Sequence, residues 1–313
     1  MRTRTLGQTR LQVSEISFGA WQLGNSQAWG KMDDRRAHRL VAEAIDNGVN
    51  LFDTAPNYAS GRSEELLGRA LPGKRDQVVL VSKFGHQPNG EQNFSASTLC
   101  DSLDRSLRRL RTDYLDVLLV HNPPNDIYQK DETLWHALDQ ARQQGKIKHY
   151  GASLDFADEA EACLNNTNSE VLEVFFNILH QDIRRAFPLV REKGAGIIVK
   201  VPLDSGWLTG RFTARSRFTG VRSRWSREQI QRRAELVDGL GWLTEDGSTL
   251  AGKALAFLLS YEEVSCVIPG VRNRSQLHSN LDAAQCSVSD EAKKMLEEYW
   301  DTFTSKGSVL LPW

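Results

Sequence analysis

The chain has 313 residues, 40% of them hydrophobic and 25% charged, which is enough apolar material for one large core and the wrong composition for a disordered segment. Its 39 basic side chains against 40 acidic ones leave a formal charge of −1, so no electrostatic footprint points to nucleic acid or an anionic membrane. Four widely spaced cysteines, Cys100, Cys163, Cys266 and Cys286, form no Cys-x-x-Cys pair, no apolar run is long enough to span a bilayer, and the amino terminus lacks a signal peptide's hydrophobic stretch; the expectation is a reducing, cytoplasmic setting without membrane attachment.

Thr5 to Val13 reads as two short extended pieces around a Gly-containing turn, a small hairpin. Ile16 to Gly19 is a first buried strand, leading through Trp21, Gln22 and Gly24 to a helix capped by Asp33 or Asp34, with Ala37, Leu40, Val41, Ala44 and Ile45 at helical spacing and Asn47-Gly48 as its stop. Val49 to Asp53 is a second strand, followed by a turn carrying Pro56, Asn57 and Tyr58 and a helix from Ser63. The rhythm then repeats. Strands at 77–83, 114–120, 147–152, 171–178 and 196–200 alternate with helices at 95–110, 132–144, 155–164 and a shorter one to about 192. A long polar, Arg-rich loop follows (residues 211–224), then helices from Ser226 and Thr249. A last strand, Ser265 to Ile268, meets Pro269-Gly270-Val271-Arg272, and helices from Ser275 to Ala284 and Ser289 to Phe303 end the chain.

Eight strands each followed by a helix imply parallel strands, and eight such units close most simply as a (β/α)8 TIM barrel, with the hairpin at the amino end, an additional C-terminal helix, and one domain over 1–313. An open doubly wound sheet is the alternative, weakened by the lack of Gly-x-Gly-x-x-Gly after any early strand. In a closed parallel barrel every strand's carboxyl end opens at one mouth. Asp53 with Tyr58, Lys83 and His121, from three successive strand ends, are therefore expected to converge there. Singly, each has a bland explanation: a turn aspartate, a solvated lysine, a satisfied turn histidine. Together they suit proton transfer. A phenol's ordinary pKa of about 10 is too high for ready exchange at neutral pH. A nearby ammonium is expected to lower it, a carboxylate to hold the ammonium, and an imidazole to hydrogen-bond a carbonyl oxygen.

From Leu11-Gln12-Val13-Ser14-Glu15-Ile16 and Gly19-Ala20-Trp21, through Asp53-Thr54-Ala55, Tyr58, Gly61-Arg62-Ser63-Glu64-Glu65-Leu66-Leu67-Gly68, Lys83 and His121, to Leu208-Thr209-Gly210 and Ile268-Pro269-Gly270-Val271-Arg272, the sequence resembles the aldo-keto reductases essentially end to end. The resemblance implies a hairpin-plugged barrel that binds a nicotinamide cofactor without a Rossmann domain and passes hydride to an aldehyde or ketone. Tyr58 is then the proton donor, Asp53 and Lys83 tune it, and His121 orients the substrate.

The resemblance also assigns the cofactor contacts. Gly19, Trp21 and Gly270 belong to them, and Ser153 holds the nicotinamide carboxamide, although Leu154 stands where an asparagine is usual. Glu173 replaces the family's glutamine on the sixth strand, and Lys200 stands where many members stack an aromatic ring. Lys200 and Glu173, on adjacent strand ends, are expected to pair beside the nicotinamide, unless Lys200 points to solvent. The pyrophosphate is expected against the backbone of Leu203, Ser205, Leu208 and Gly210, with Arg211 assisting. Arg272 matches the adenosine 2′-phosphate, because guanidinium forks suit phosphate, which favours NADP (NADPH) over NAD; Gln276 and Asn280, one helical turn apart, flank the adenine.

Substrate choice is encoded less specifically. Trp21, Trp29, His86 and Trp207 are candidate walls for a small carbonyl or sugar-like substrate, and the expected state is a monomer or weak homo-oligomer without a metal. The apolar tail Val309-Leu310-Leu311-Pro312-Trp313 covers the mouth, meets a second subunit or docks on the barrel, and the Arg-rich loop is either a clamp over the cofactor or solvated surface. Two other functions stay open: a barrel lyase using Lys83 as a Schiff base, and a cofactor-binding regulatory subunit with little turnover.

Overall fold

Eight parallel strands close on themselves. The computed structural model describes residues 1–130 and 132–312. A hairpin of β1 (Thr3–Thr5) and β2 (Gln12–Ser14) precedes the barrel strands β3 (Phe18–Gly19), β4 (Leu51–Asp53), β5 (Val79–Phe84), β6 (Leu115–His121), β7 (Ile147–Leu154), β8 (Val171–Phe175), β9 (Gly196–Lys200) and β10 (Val264–Val267). The strands pair in sequence order from β3 to β10. Parallel bridges from Ile16 to Val267 and from Gly19 to Gly270 join the last strand to the first. The molecule is thus a (β/α)8 barrel, not an open sheet. At the seam, a Cβ on Gly19 would lie 2.5 Å from the Ile268 carbonyl oxygen, so only glycine lets the two strand ends approach.

The strands alternate between two environments, as a period of two requires, with one register shift between Val264 and Cys266 of β10. Leu51, Val79, Val81, Val117, Leu119, Val171, Ile198 and Cys266 point into the barrel and pack with Leu6 and Val13 of the hairpin, which thereby plugs the amino-terminal end. Their neighbours Phe52, Leu80, Leu118, Leu172, Val174 and Ile197 point outward under the helices. Arg4 fastens the hairpin by donating to the carbonyls of Leu259, Tyr261 and Val264 while pairing with Glu15 at 2.7 Å.

Helices α1 (Ser26–Trp29), α2 (Asp34–Asp46), α3 (Arg62–Ala70), α4 (Ala96–Leu110), α5 (Asn125–Lys130), α6 (Glu132–Gln143), α7 (Ala157–Asn166), α8 (Phe187–Lys193), α9 (Arg227–Asp238), α10 (Leu250–Leu259), α11 (Arg274–Asp282) and α12 (Asp290–Phe303) surround the strands. Several caps fall where side-chain chemistry places them: Asp33, Ser226, Thr249 and Ser289 each accept from the backbone amide three residues on. The short helices α1 and α5 are additions to the sequence expectation, since one or two turns show no apolar periodicity. The sixth barrel strand ends at Phe175, short of the expected Ile178, because Asn177 and His180 exchange backbone hydrogen bonds in a tight turn. In the tail, Leu311 packs on the core and the Pro312 carbonyl accepts from Arg233; Trp313 lies outside the described residues. No helix among the described residues is long and apolar enough to cross a membrane.

Candidate active site

Strand register builds the site. Asp53 ends β4 opposite Gly19 of β3, His121 ends β6 opposite Ser153 of β7, and Ser153 in turn lies opposite Glu173 of β8. Lys83 lies two residues beyond Val81, the partner of Asp53, so its side chain enters the barrel one layer higher on the adjacent strand. Its Nζ sits 2.5 Å from Asp53 Oδ2 and 3.1 Å from Glu173 Oε2, and donates to the Thr54 carbonyl at 3.1 Å. The ammonium lies 5.1 Å from the centroid of the Tyr58 ring, and that ring meets His121 edge-on at 6.0 Å. Behind β5, the buried Glu64 accepts from Ser82 Oγ and Arg109 Nε, both at 2.6 Å, and Ser63 Oγ donates to the Ala20 carbonyl. The Ser63-Glu64 motif therefore braces the loop that delivers Tyr58.

The electrostatics follow from this burial. Burial alone would depress the Lys83 ammonium, but Asp53 and Glu173 more than offset it and drive its pKa well above the ordinary lysine value. Asp53 is pushed well above the usual carboxylate range, first by burial and then by the Glu173 charge, while Lys83 opposes both. Glu173 lies below its ordinary value, because Lys83 and Lys200 together outweigh burial. For Tyr58 the result differs from the sequence expectation. Burial dominates and raises its pKa, Lys83 pulls it down, and the two carboxylates push it further up. The phenol thus holds its proton at neutral pH. His121 is driven well below its ordinary value by burial and by Lys83, His86 and Lys200, so it stays neutral. His86 stacks on it at 4.5 Å.

Lys200 neither pairs with Glu173 nor points to solvent. Register explains why: Glu173 lies opposite Ile198, and Lys200 opposite Phe175, one inward layer nearer the mouth, about 7 Å along the strand. Its Nζ meets Asp155 Oδ1 at 2.8 Å, Asn122 Oδ1 at 2.9 Å and Ser153 Oγ at 2.9 Å. Ser153 Oγ also lies 3.1 Å from Glu173 Oε1, linking the outer lysine to the inner cluster.

These groups open onto a cavity of about 980 Å³ at the carboxyl ends of the strands. Gly19, Trp21, Asp53, Tyr58, His121, Glu173 and Lys200 line its inner part, and Leu203, Ser205, Arg211, Gly270, Arg272, Gln276 and Asn280 line an arm leading toward α11. Lys83 and Ser153 are buried beside these residues, outside the lining itself. Leu208 is buried away from the lining, and the amides of Leu208 and Gly210 donate to the carbonyls of Leu203 and Trp207 within their own turn. Trp21, Trp29 and His86 are walls; Trp207 instead packs in an aromatic cluster with Phe212, Phe218 and Trp225. Sequence reasoning passed over Arg222. Its Nε donates to the Ser205 carbonyl at 2.7 Å, and its guanidinium lies 4.7 Å over Trp29 and 5.1 Å over Phe212. Burial, then Arg211, Arg272 and Arg224, lowers its pKa to about 10. The Arg-rich composition of 211–224 was the available signal. That segment docks on α1, where a Cβ on Gly220 would lie 2.4 Å from the Ala28 carbonyl.

The family model described as the Aldo/keto reductase family matches residues 15–301. The chain belongs to that family. It is 28% identical to the NADH-specific methylglyoxal reductase of Escherichia coli, covering 95% of this chain and 98% of that protein. It is 31% identical to a probable voltage-gated potassium channel subunit beta of Arabidopsis thaliana, covering 90% and 91%. The holo form of an aldo-keto reductase of Bacillus halodurans, AKR11C1, superposes with a TM-score of 0.82 at 26% identity, covering 96% of each chain. Aldo/keto reductases use nicotinamide cofactors, and the polar groups of this cavity fit such a molecule. Buried Gln22 Oε1, Asn57 Oδ1, His121 Nδ1, Arg272 Nε and Asn280 Nδ2 have no hydrogen-bond partner within the protein, an arrangement that buried polar atoms keep only where a ligand or water satisfies them.

Proposed function

We propose that this aldo/keto reductase reduces a small aldehyde or ketone, or oxidises the matching alcohol, with Tyr58 as the proton donor and NADP(H) as the preferred cofactor. The observation that carries this reading is the placement of Tyr58 in the cavity lining, its ring centroid 5.1 Å from the ammonium of a lysine that two carboxylates keep charged and its ring edge-on to a neutral histidine. When bound, the nicotinamide supplies or accepts the hydride. The protein's own groups do the rest. Tyr58 keeps its proton until the carbonyl oxygen gains negative charge, and the Lys83 ammonium then stabilises the phenolate left behind. Neutral His121 has Nδ1 unpartnered, and an imidazole in that state donates one hydrogen bond to a substrate oxygen without competing as an acid.

On the cofactor arm, Leu203, Ser205, Arg211 and Arg222 hold the pyrophosphate, Arg272 meets the adenosine 2′-phosphate, and Gln276 and Asn280 flank the adenine. Leu208 and Gly210, with their amides used internally, support that turn rather than bind. Ser153 and Glu173 remain the candidates for the carboxamide. NADP is favoured by Arg272, which lines this arm with its Nε unpartnered within the protein and so is free to meet an added phosphate. The Escherichia coli relative named as NADH-specific makes the comparison of both cofactors part of the test.

Two alternatives remain distinguishable. A Schiff-base lyase needs a neutral lysine, whereas Lys83 is held strongly protonated. The resemblance to probable channel beta subunits keeps a regulatory role in view. Loss of reduced-cofactor absorbance with a panel of aldehydes and ketones, run with NADPH and NADH, tests the reductase. Tyr58→Phe is expected to lower the rate by about a hundred- to ten-thousand-fold with cofactor binding kept. Turnover that survives the change rules Tyr58 out as the acid, and no turnover with any substrate leaves the regulatory role.

A further inference from the structure

Lys83 has more negative charge around it than it can neutralise. One fully buried nitrogen lies 2.5 Å from Asp53 Oδ2 and 3.1 Å from Glu173 Oε2, and both carboxyls are at most 2% exposed. Two ionised carboxylates on one ammonium would leave a net negative charge in a dry layer of the barrel, and carboxyls that share a site resist ionising together. The next cation, Lys200, reaches Glu173 only through Ser153 and is itself paired with Asp155. Beyond its ion pair with Lys83, Glu173 Oε2 accepts no well-formed hydrogen bond, and a proton on Asp53 would provide one.

We propose that Asp53 and Glu173 act as one carboxyl pair that holds a single shared proton beside Lys83, a reservoir from which the ammonium and then Tyr58 are resupplied. The opposite displacement of the two carboxyls, Asp53 upward and Glu173 downward, agrees with one proton resting mainly on Asp53. The use of that proton rests on the reductase reading; its presence does not. After the Tyr58 O–H gives its proton to the oxygen of the reduced carbonyl, an N–H of Lys83 passes to the phenolate oxygen. The O–H of the pair then passes to the Lys83 nitrogen. Tyr58 and Lys83 regain their starting states, and the pair goes from one negative charge to two. Because Asp53 and Glu173 both line the cavity, a solvent proton restores the pair once product leaves. In the interval Lys200, through Ser153, steadies Glu173 in its ionised form. The groups facing the pair are Lys83 and Tyr58, Ser153 on β7, Lys200 on β9, His121 on β6 with His86 beside it, and Cys266 on β10, whose thiol burial and these carboxyls push up to about 12.

The test uses the cofactor-free, full-length protein and needs no turnover. Infrared spectra of the wild type are expected to retain a protonated-carboxyl band above the pH near 4 at which ordinary carboxylates ionise. Glu173→Gln and Asp53→Asn should each abolish the band, since either carboxyl alone with Lys83 ionises. Thermal melts supply a second reading. A carboxyl whose folded pKa is raised binds its proton more tightly in the native state, so the wild type loses stability relative to Glu173→Gln as pH rises from about 4 through the pair's upper pKa, a change of a few degrees. No band in the wild type overturns the proposal, as does a band unchanged in both variants or a melting difference that ignores pH. If one variant does not fold, the other decides. A retained band in a protein without turnover would sink the reductase reading and leave the pair standing.

Discussion

Arg233→Met should be among the most destabilising single changes in the molecule. Arg233 on α9 is fully buried, with Nε 3.2 Å from Oδ2 of the equally buried Asp204, and its guanidinium 4.8 Å from the Trp225 ring. It also donates to the Pro312 carbonyl, tying the tail to the barrel. Asp204 stands at φ 43°, in the left-handed region, between Leu203 and Ser205 of the cavity lining. Methionine fills much of the volume but leaves the carboxylate uncompensated. Among the described residues, His180 at 4.0 Å has its pKa lowered to about 4 by burial and is neutral at pH 7, which leaves the carboxylate to the field of Arg224. Breaking a buried pair from one side costs about 3–5 kcal/mol. At about 2–4 °C per kcal/mol for a large domain, the melting temperature should fall by roughly 6–20 °C. Removing the stranded charge as well, in Arg233→Met/Asp204→Leu, should recover more than half of the loss. The assay is thermal and urea unfolding of the wild type, the single variant and the double variant. A loss below about 1 kcal/mol, or a double variant no better than the single one, would refute the argument that an unpaired buried carboxylate is the cause.

His180 predicts an acid sensitivity of its own. Its folded pKa of about 4 lies below the unfolded value near 6.5, so the unfolded chain takes the proton first; stability is complete above pH 6.5 and drains away as pH falls toward 4, by roughly 3 kcal/mol. His180→Phe should flatten the melting curve in that window, and an unchanged slope would count against it. For cofactor choice, Arg272→Met should weaken NADPH binding on the order of tenfold to a hundredfold, the worth of charge-assisted hydrogen bonds to phosphate, with NADH nearly unaffected. Titrating both cofactors by fluorescence checks this, and equal losses would remove Arg272 from the selection of the 2′-phosphate.

What was legible in the sequence was what strand register fixes. Asp53, Lys83, His121, Ser153 and Glu173 each follow an apolar run by a countable number of residues, and a parallel barrel turns that count into an inward side chain at one mouth. The hairpin plug and the caps at Ser226, Thr249 and Ser289 were legible for the same local reason. The pairing of Lys200 was not, because it depends on which layer of the barrel each inward residue occupies, and Glu173 and Lys200 lie two residues apart in the register of β8 and β9. Arg222 was hidden because its position is set by Gly220 meeting α1, a contact between segments nearly two hundred residues apart. The proton affinity of Tyr58 was misjudged for a third reason. Residue types give the sign of each charge but not the depth of burial, and here burial outweighs the ammonium.

Lys200 also explains how the barrel tolerates two departures from the family pattern at once. An ammonium has three donors, and an unpaired one at this depth would be costly. Asp155, Asn122 and Ser153 each place an oxygen within 2.9 Å of it. Leu154, where an asparagine was expected, is fully buried among the residues under the helices and contributes no polar group. The amide comes instead from Asn122 on the neighbouring strand end, at φ 46°, whose Nδ2 donates to Asp155 Oδ2 at 2.9 Å. A lysine at 200 thus brings its own counter-ion and its own amide, and its charge is matched before any ligand arrives. An aromatic ring at 200 would leave Asp155 and Asn122 facing one another without the cation, so Lys200, Asn122 and Asp155 should depend on one another, whereas Ser153 serves both lysines.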